Sequence, residues 1–336
     1  MIDIFLQQNN LPKYRIDQFN KSYYQDFISS FDEITTYPKD LREKLKSSIP
    51  FSTLTLQKEQ ISKDKGTIKY LFSRNTDNKC FETVLMRHMD GRNTVCVSCM
   101  IGCPVGCAFC ATGRMGFIDN LSSTEIVDQI LHIARELKTN DQKITNVVFM
   151  GMGEPLLNLD NVLKAIDTIT NEDKMAMSVR RITISTSGVV SKMKELLKLK
   201  YKGRLALSLH APNQQLREKL IPIAKNNPIE ELILLMKQHA ARTQKQVSFE
   251  YTLIENINDS PENALELSKL LNFNFAHVNL IPYNTIENVD FQRSKMKNIM
   301  IFSEILTQKL VSNTLRVTMG DDIRAACGQL ANNNLK

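Results

Sequence analysis

Three cysteines spaced Cys103-x3-Cys107-x2-Cys110 constrain this chain more than any other feature of it. They stand in Gly102-Cys-Pro-Val-Gly-Cys-Ala-Phe-Cys110, so one short loop must gather all three sulfurs. Thiolates are soft ligands that select iron–sulfur clusters or zinc. A four-iron cubane normally takes four protein thiolates, and three in a tight loop leave one iron open to a small chelating ligand. Cys99 lies four residues upstream and offers a four-thiolate zinc site as the alternative. Structural zinc sites, however, are built from two short pairs about a dozen residues apart. Ligands crowded as closely as Cys99–Cys110 surround a tetrahedral ion poorly. The open cluster is the preferred reading.

The chain has 336 residues, room for one large α/β domain with a small appendage. Its start, MIDIFLQQNN, lacks the basic and long apolar regions of a signal peptide. No apolar run approaches the roughly eighteen residues that span a bilayer. Five of the seven cysteines fall between Cys96 and Cys110, which reads as reduced thiols of a cytoplasmic protein rather than a disulfide framework. The net charge of +7 is unevenly spread: Arg180–Lys245 holds fourteen Lys/Arg against four Asp/Glu. Such a stretch is either a footprint for nucleic acid or the wet face of a helix and its loop.

Residues 1–90 read as an N-terminal accessory domain. It has helical stretches such as Pro38–Lys46, then β-prone runs including Thr67–Phe72 and Phe81–Leu85. Residues 91–336 alternate strands with helices. The strands are expected at Thr94–Val97, Asn146–Met150, Arg181–Ser185, Leu205–Leu209, Val247–Leu253 and His277–Ile281. Ser122-x-x-Glu125 forms a capping box, with Ile126, Ile130, Ile133 and Leu137 following at helical spacing. Six such units imply parallel β/α packing, read here as a partial barrel. Ligands of α/β folds sit beyond the carboxyl ends of the strands. The cysteine loop, Gly151-Met-Gly-Glu154-Pro155, Ser185-Thr-Ser-Gly188, Ser208-Leu-His210 and Ile281-Pro-Tyr-Asn284 all follow strands. They share one mouth.

The glycine-rich turn at 151–155 brings flat backbone and the Glu154 carboxylate to that mouth. Cys327, in Gly320-Asp-Asp-Ile-Arg-Ala-Ala-Cys-Gly-Gln-Leu330, sits among small residues suited to a tight, accessible loop. An isolated cysteine is otherwise usually a packed core thiol. Taken together, Cys96-Val-Ser, the three-cysteine loop, GMGEP, STSGVV, SLHAPN, VNLIPYN and GDDIRAACGQL resemble the RlmN-type radical-SAM adenosine C2-methyltransferases, with the Cfr-type C8-methyltransferases as near relatives. The likeness runs over essentially the whole chain.

The resemblance implies a partial (β/α)6 TIM-like barrel with a small helical N-terminal domain and a short connecting sheet. It implies that Cys103, Cys107 and Cys110 hold one [4Fe-4S] cluster. S-adenosylmethionine would be contacted by Gly153, Glu154, Ser185, Ser208, Leu209, His210 and Asn284. Cys327 matches the cysteine that becomes S-methylated, Cys96 its partner in a transient disulfide, and Glu82 the proton acceptor. Two S-adenosylmethionine molecules would serve each turnover, one as methyl donor and one as radical source. The implied partners are 23S rRNA (adenosine 2503), tRNA (adenosine 37) and an electron donor such as flavodoxin or ferredoxin, acting on a monomer. Two positions depart from the family pattern: Cys99 replaces a common serine, and Met319 a common basic residue. The other readings are C8 methylation and a zinc-stabilised RNA-binding protein without catalysis.

Overall fold

The computed structural model describes residues 2–331. Among the described residues twelve strands form in chain order: β1 (Leu54–Ile61), β2 (Thr67–Arg74), β3 (Cys80–Arg87), β4 (Asn93–Cys96), β5 (Met100–Gly102), β6 (Phe117–Asn120), β7 (Asn146–Phe149), β8 (Ile182–Thr186), β9 (Arg204–Ser208), β10 (Val247–Leu253), β11 (Ala276–Pro282) and β12 (Ser312–Leu315). Ten of them make one sheet in the order β1-β2-β3-β4-β7-β8-β9-β10-β11-β12, while β5 and β6 pair separately. From β4 onward every neighbour is parallel. β1 to β4 run antiparallel. Parallel pairing requires a crossover, and helices between the strands supply it, giving the expected partial barrel of six β/α units.

Three features lie beyond the expectation. β12 adds a seventh parallel strand on β11. β3 is hydrogen-bonded to β4, with β2 and β1 following it in order, so the N-terminal strands extend the barrel sheet itself. The hairpin of β5 and β6 brackets the cysteine loop.

The helix Ser123–Lys138 shows how sequence sets this packing. Its capping box forms as read, Ser122 accepting from Glu125 N and Glu125 accepting from Ser122 N. Ile126, Ile130, Ile133 and Leu137 are fully buried against the sheet. Each such side chain contributes about 1.5–3 kcal/mol through burial. The other side of this helix holds the N-terminal segment. Asp128 accepts from Thr53 N, Thr53 Oγ1 and Tyr23 Oη, and Arg135 lies over the rings of Tyr23 and Phe51.

Candidate active site at the carboxyl mouth of the barrel

The cysteine loop is fixed at both ends. Gly102 sits at φ +71°, and a Cβ there would lie 1.9 Å from the Gly116 carbonyl. Only glycine allows that approach, and it lets Cys103 N bond Gly116 O at 2.9 Å. Farther along, Ala108 N donates to Leu220 O. The three cysteines pack on a small apolar cluster of Val105, Phe109, Leu220, Ile221, Ala224, Ile254 and Tyr283, separate from the main core. Burial pushes the Cys103 thiol up to about 12 and raises Cys107 and Cys110, and for Cys107 its two neighbours add to the effect. Buried thiols that oppose one another's ionisation are a ligand set matched to a cationic centre, whose arrival deprotonates them.

Among the described residues no three ligand side chains converge on a single-ion site. Thiolates on separate corners of a cubane stand farther apart than those sharing one ion, so a loop with no such convergence can still hold a cluster. Cys99 does not join it. It is buried in the main core and its thiol contacts Met152 O at 3.7 Å. Arg217 makes the fit firmer. This guanidinium is fully buried beside Cys107 and Glu154, and its Nη2 bonds Ser187 O and Ser208 O. Its Nε and Nη1 have no partner in the protein. An orphaned buried cation next to the cysteine loop calls for an anionic group, such as a thiolate-ligated cluster or a carboxylate.

The glycine turn lies flat across the chain that leaves β4. Gly153 (φ +104°) would bring a Cβ within 2.6 Å of Met100 Cβ, and Cys99 N and Met100 N both donate to Met152 O. Glu154, expected to contact S-adenosylmethionine, already accepts four bonds: from Leu156 N, Thr186 Oγ1, Ser187 N and Ser187 Oγ, at 2.7–3.0 Å. A carboxylate has about four acceptor sites. Its visible work is to bind the glycine turn to the loop after β8.

The remaining predicted residues gather at the same mouth. Ser185 and Ser208 face each other with oxygens 3.5 Å apart. Leu209 is buried behind them. His210 accepts from Thr252 N through Nδ1, and its ring lies edge-on to Phe109 of the cysteine loop, 4.7 Å between centroids. Burial and Arg217 lower its pKa to about 3, so it is a neutral ring with the proton on Nε2. Asn284 donates to Cys327 O at 3.1 Å and accepts from Arg293 Nη2.

Cys327 thus arrives at the mouth on a loop held from several sides. Gly328 O accepts from Ala111 N at 2.8 Å, and Leu330 O accepts from Thr112 Oγ1 at 2.6 Å. Gln329 Nε2 bonds Thr285 O and Asp321. The Cys327 residue is solvent-accessible, yet its sulfur is set deep among protein groups. That burial, with Glu250 and Cys110 nearby, pushes its thiol up to about 12. Cys96, buried at the end of β4, is pushed to about 12 by burial and then by Cys327 itself. Cys96 thus lies within the field of the Cys327 sulfur.

Glu82 is also buried. Its carboxylate pairs with Lys69 Nζ at 3.0 Å and accepts from Ala331 N at 2.8 Å. The basic stretch divides in space: Arg217 reaches this mouth, while other members lie far from it. Arg180, Lys202, Arg204 and Lys245 cluster at the amino ends of β8, β9 and β10, the opposite end of the barrel. Lys192 and Lys194 are paired with Glu195 and Glu231.

Fold, cysteine loop and anion-hungry pocket together define a radical-SAM enzyme, and residues 97–268 match the Radical SAM superfamily. A radical SAM methyltransferase from Sphaerobacter thermophilus superposes with a TM-score of 0.94 at 41% identity, over 98% of this chain and 96% of that one. A protein of Protochlamydia amoebophila named probable dual-specificity RNA methyltransferase RlmN 2 is 44% identical over 97% of this chain and 91% of its own length. The ribosomal RNA large subunit methyltransferase N of Nitrosopumilus maritimus is 41% identical over 95% and 92%. The chain belongs to the RlmN family of radical-SAM RNA methyltransferases. Membership implies a [4Fe-4S] cluster and S-adenosylmethionine.

Proposed function

We propose that this enzyme methylates C2 of adenosine, at position 2503 of 23S rRNA and position 37 of tRNA, through a methyl group carried on Cys327. The observation that carries this reading is the junction of the Cys327 loop with the cysteine loop, through Ala111 N to Gly328 O, with Cys96 beside it. C2 of adenine has no lone pair with which to attack a methyl sulfonium, whereas a thiolate does so readily. A sulfur carrier is therefore required.

Cys103, Cys107 and Cys110 would hold the cluster, which with S-adenosylmethionine supplies one-electron chemistry at an unactivated carbon. The glycine turn at Gly153, the loop fixed by Glu154, the Ser185–Ser208 pair and the Leu209–His210 wall border the space for the sulfonium nucleotide, closed by Asn284. Two such nucleotides are used per turnover in this reading, one to methylate Cys327. A flavodoxin- or ferredoxin-like protein delivers the electron. The enzyme works as a cytoplasmic monomer. Residues 1–90 form the accessory part that meets RNA, and residues 91–336 the catalytic core.

Once the carbon on Cys327 is bonded to C2, release falls to this chain's own groups. From the closed-shell adduct, Glu82 takes the proton on C2. Cys96 Sγ, as thiolate, bonds to Cys327 Sγ while the Cys327 sulfur–carbon bond breaks. The electron pair of that bond goes to the methylene carbon, which takes up a proton and becomes the methyl group. The two sulfurs are oxidised to a disulfide as the carbon is reduced, and a dithiol reductant restores them. A base at such a step contributes about 10²–10⁴ in rate.

The test is an oxygen-free assay with 23S rRNA and tRNA, followed by mass spectrometry of the nucleosides. 2-Methyladenosine is the expected product. 8-Methyladenosine, or no methylated base, would refute the assignment.

A further inference from the structure

A buried lysine that the reaction above does not use stands directly against its base. The strand register explains how. Lys69 pairs with Val84 and Leu71 with Glu82 across β2 and β3, and Val84 pairs with Cys96 across β3 and β4. Side chains two apart, and those directly opposite, share a face. Lys69, Glu82 and Cys96 therefore project from one face of three adjacent strands. Lys69 is 4% exposed and Glu82 1%. A lysine on a sheet face ordinarily carries its ammonium out to water, and this one does not. Its Nζ lies 3.0 Å from Glu82 Oε1 and donates to Arg324 O at 3.2 Å. The other carboxylate oxygen, Oε2, accepts from Ala331 N. Residues 324 and 331 flank Cys327 on the same loop.

A buried ion pair contributes little net stability compared with apolar side chains of the same volume, so stability alone does not account for this one. What the pair does geometrically is join the base to the loop of the methyl-carrying cysteine. We propose that Lys69 is a positioning residue for adduct release. Its ammonium holds the Glu82 carboxylate and the Arg324 carbonyl together, so that the base faces the carbon bonded to Cys327. The inference rests on the role given to Glu82 above. Lys69 itself exchanges no proton with the substrate.

The experiment uses full-length, cluster-loaded protein in a single turnover with RNA. It measures cluster absorbance, methylation of Cys327 by mass spectrometry, and the ratio of covalent RNA–protein adduct to methylated RNA. Lys69→Met is expected to keep the cluster and to methylate Cys327 within about twofold of the parent. It should raise the adduct-to-product ratio at least roughly tenfold, as Glu82→Gln does, because a misaimed base forfeits its rate contribution. A parental ratio in Lys69→Met would overturn the inference, as would loss of Cys327 methylation in a folded, cluster-bearing variant. Where Lys69→Met leaves Glu82 charged and unpaired and does not fold, Lys69→Met/Glu82→Gln removes that lone charge. If Lys69 acts only through Glu82, this double variant matches Glu82→Gln alone, and a further fall in release would overturn the inference. If Glu82→Gln itself accumulates no adduct, the assignment of the base fails first, which separates the two ideas.

Discussion

The backbone amide of Ala111, the residue after the last cysteine of the loop, donates to the carbonyl of Gly328, the residue after Cys327, at 2.8 Å. Two segments more than two hundred positions apart in sequence are thereby joined at the residues next to their reactive sulfurs. The bond can be removed cleanly. Cys110 lies at φ −121° and ψ 124°, the region a following proline requires, and residue 111 opens a short helix where proline is tolerated. Ala111→Pro should keep its iron and sulfide but slow methyl transfer from Cys327 about two- to tenfold, the worth of one hydrogen bond. Loss of the cluster would show that the bond supports the ligand loop instead.

Cys96→Ala should accumulate RNA bonded to Cys327, because no second sulfur is left to break the sulfur–carbon link. A denaturing gel after one turnover reports it. Free methylated RNA in parental yield would remove Cys96 from the reaction. Cys110→Ala, by contrast, should lose the brown iron–sulfur absorbance and all activity, and Cys327→Ala should keep that absorbance while forming no methyl-cysteine.

Gly102→Ala should destabilise the protein by at least about 3 kcal/mol. The new Cβ meets the Gly116 carbonyl, and the backbone stays at positive φ. Thermal unfolding should fall by several degrees. A melting temperature equal to the parent's would show that the β5–β6 hairpin relaxes freely.

His239 gives a pH signature away from the catalytic groups. Its ring is buried, pairs with Gly203 O at 3.1 Å, and has its pKa lowered to about 4 by burial. The unfolded chain takes up that proton near pH 6.5. Between those values the unfolded state binds more protons, so stability rises with pH and is lost as pH falls from 6.5 toward 4. The whole effect is roughly 3 kcal/mol. His239→Gln should reduce the slope of unfolding free energy against pH in that window by up to one proton. An unchanged slope would mean that the histidine is protonated in the folded protein.

The cluster of Arg180, Lys202, Arg204 and Lys245 lies at the barrel's opposite end. Lys202→Glu/Lys245→Glu should leave RNA affinity within about twofold and its salt dependence unchanged. A fall of about one unit in salt slope for each phosphate no longer neutralised would put RNA on that face.

Much of this was legible in the amino-acid order. The cysteine spacing singled out the loop that β5 and β6 bracket. The alternation of strands and helices located the mouth, because a short local pattern sets each element. Residues whose role comes from strand register were not. Lys69 reads as an ordinary polar position in a β-run, and only its alignment beside Val84 brings it onto Glu82. Arg217 reads as a surface residue of a polar helix, Gln214–Leu220, and only tertiary packing sinks it beside Cys107. β12 is short and half-exposed, with no apolar alternation to announce it. The charge run divides between the two ends of the barrel, with Arg217 at the mouth and Arg180, Lys202, Arg204 and Lys245 opposite, a split that sequence proximity does not show.

The loop at 320–331 is fastened to the N-terminal strands by Lys69 to Arg324, Glu82 to Ala331 and Lys63 to Asp322. These bonds span 255, 249 and 259 positions of sequence and tie the first strands of the sheet to the Cys327 loop. Unfolding of either segment therefore deprives the other of these bonds, so the order of the first strands and the setting of Cys327 are coupled.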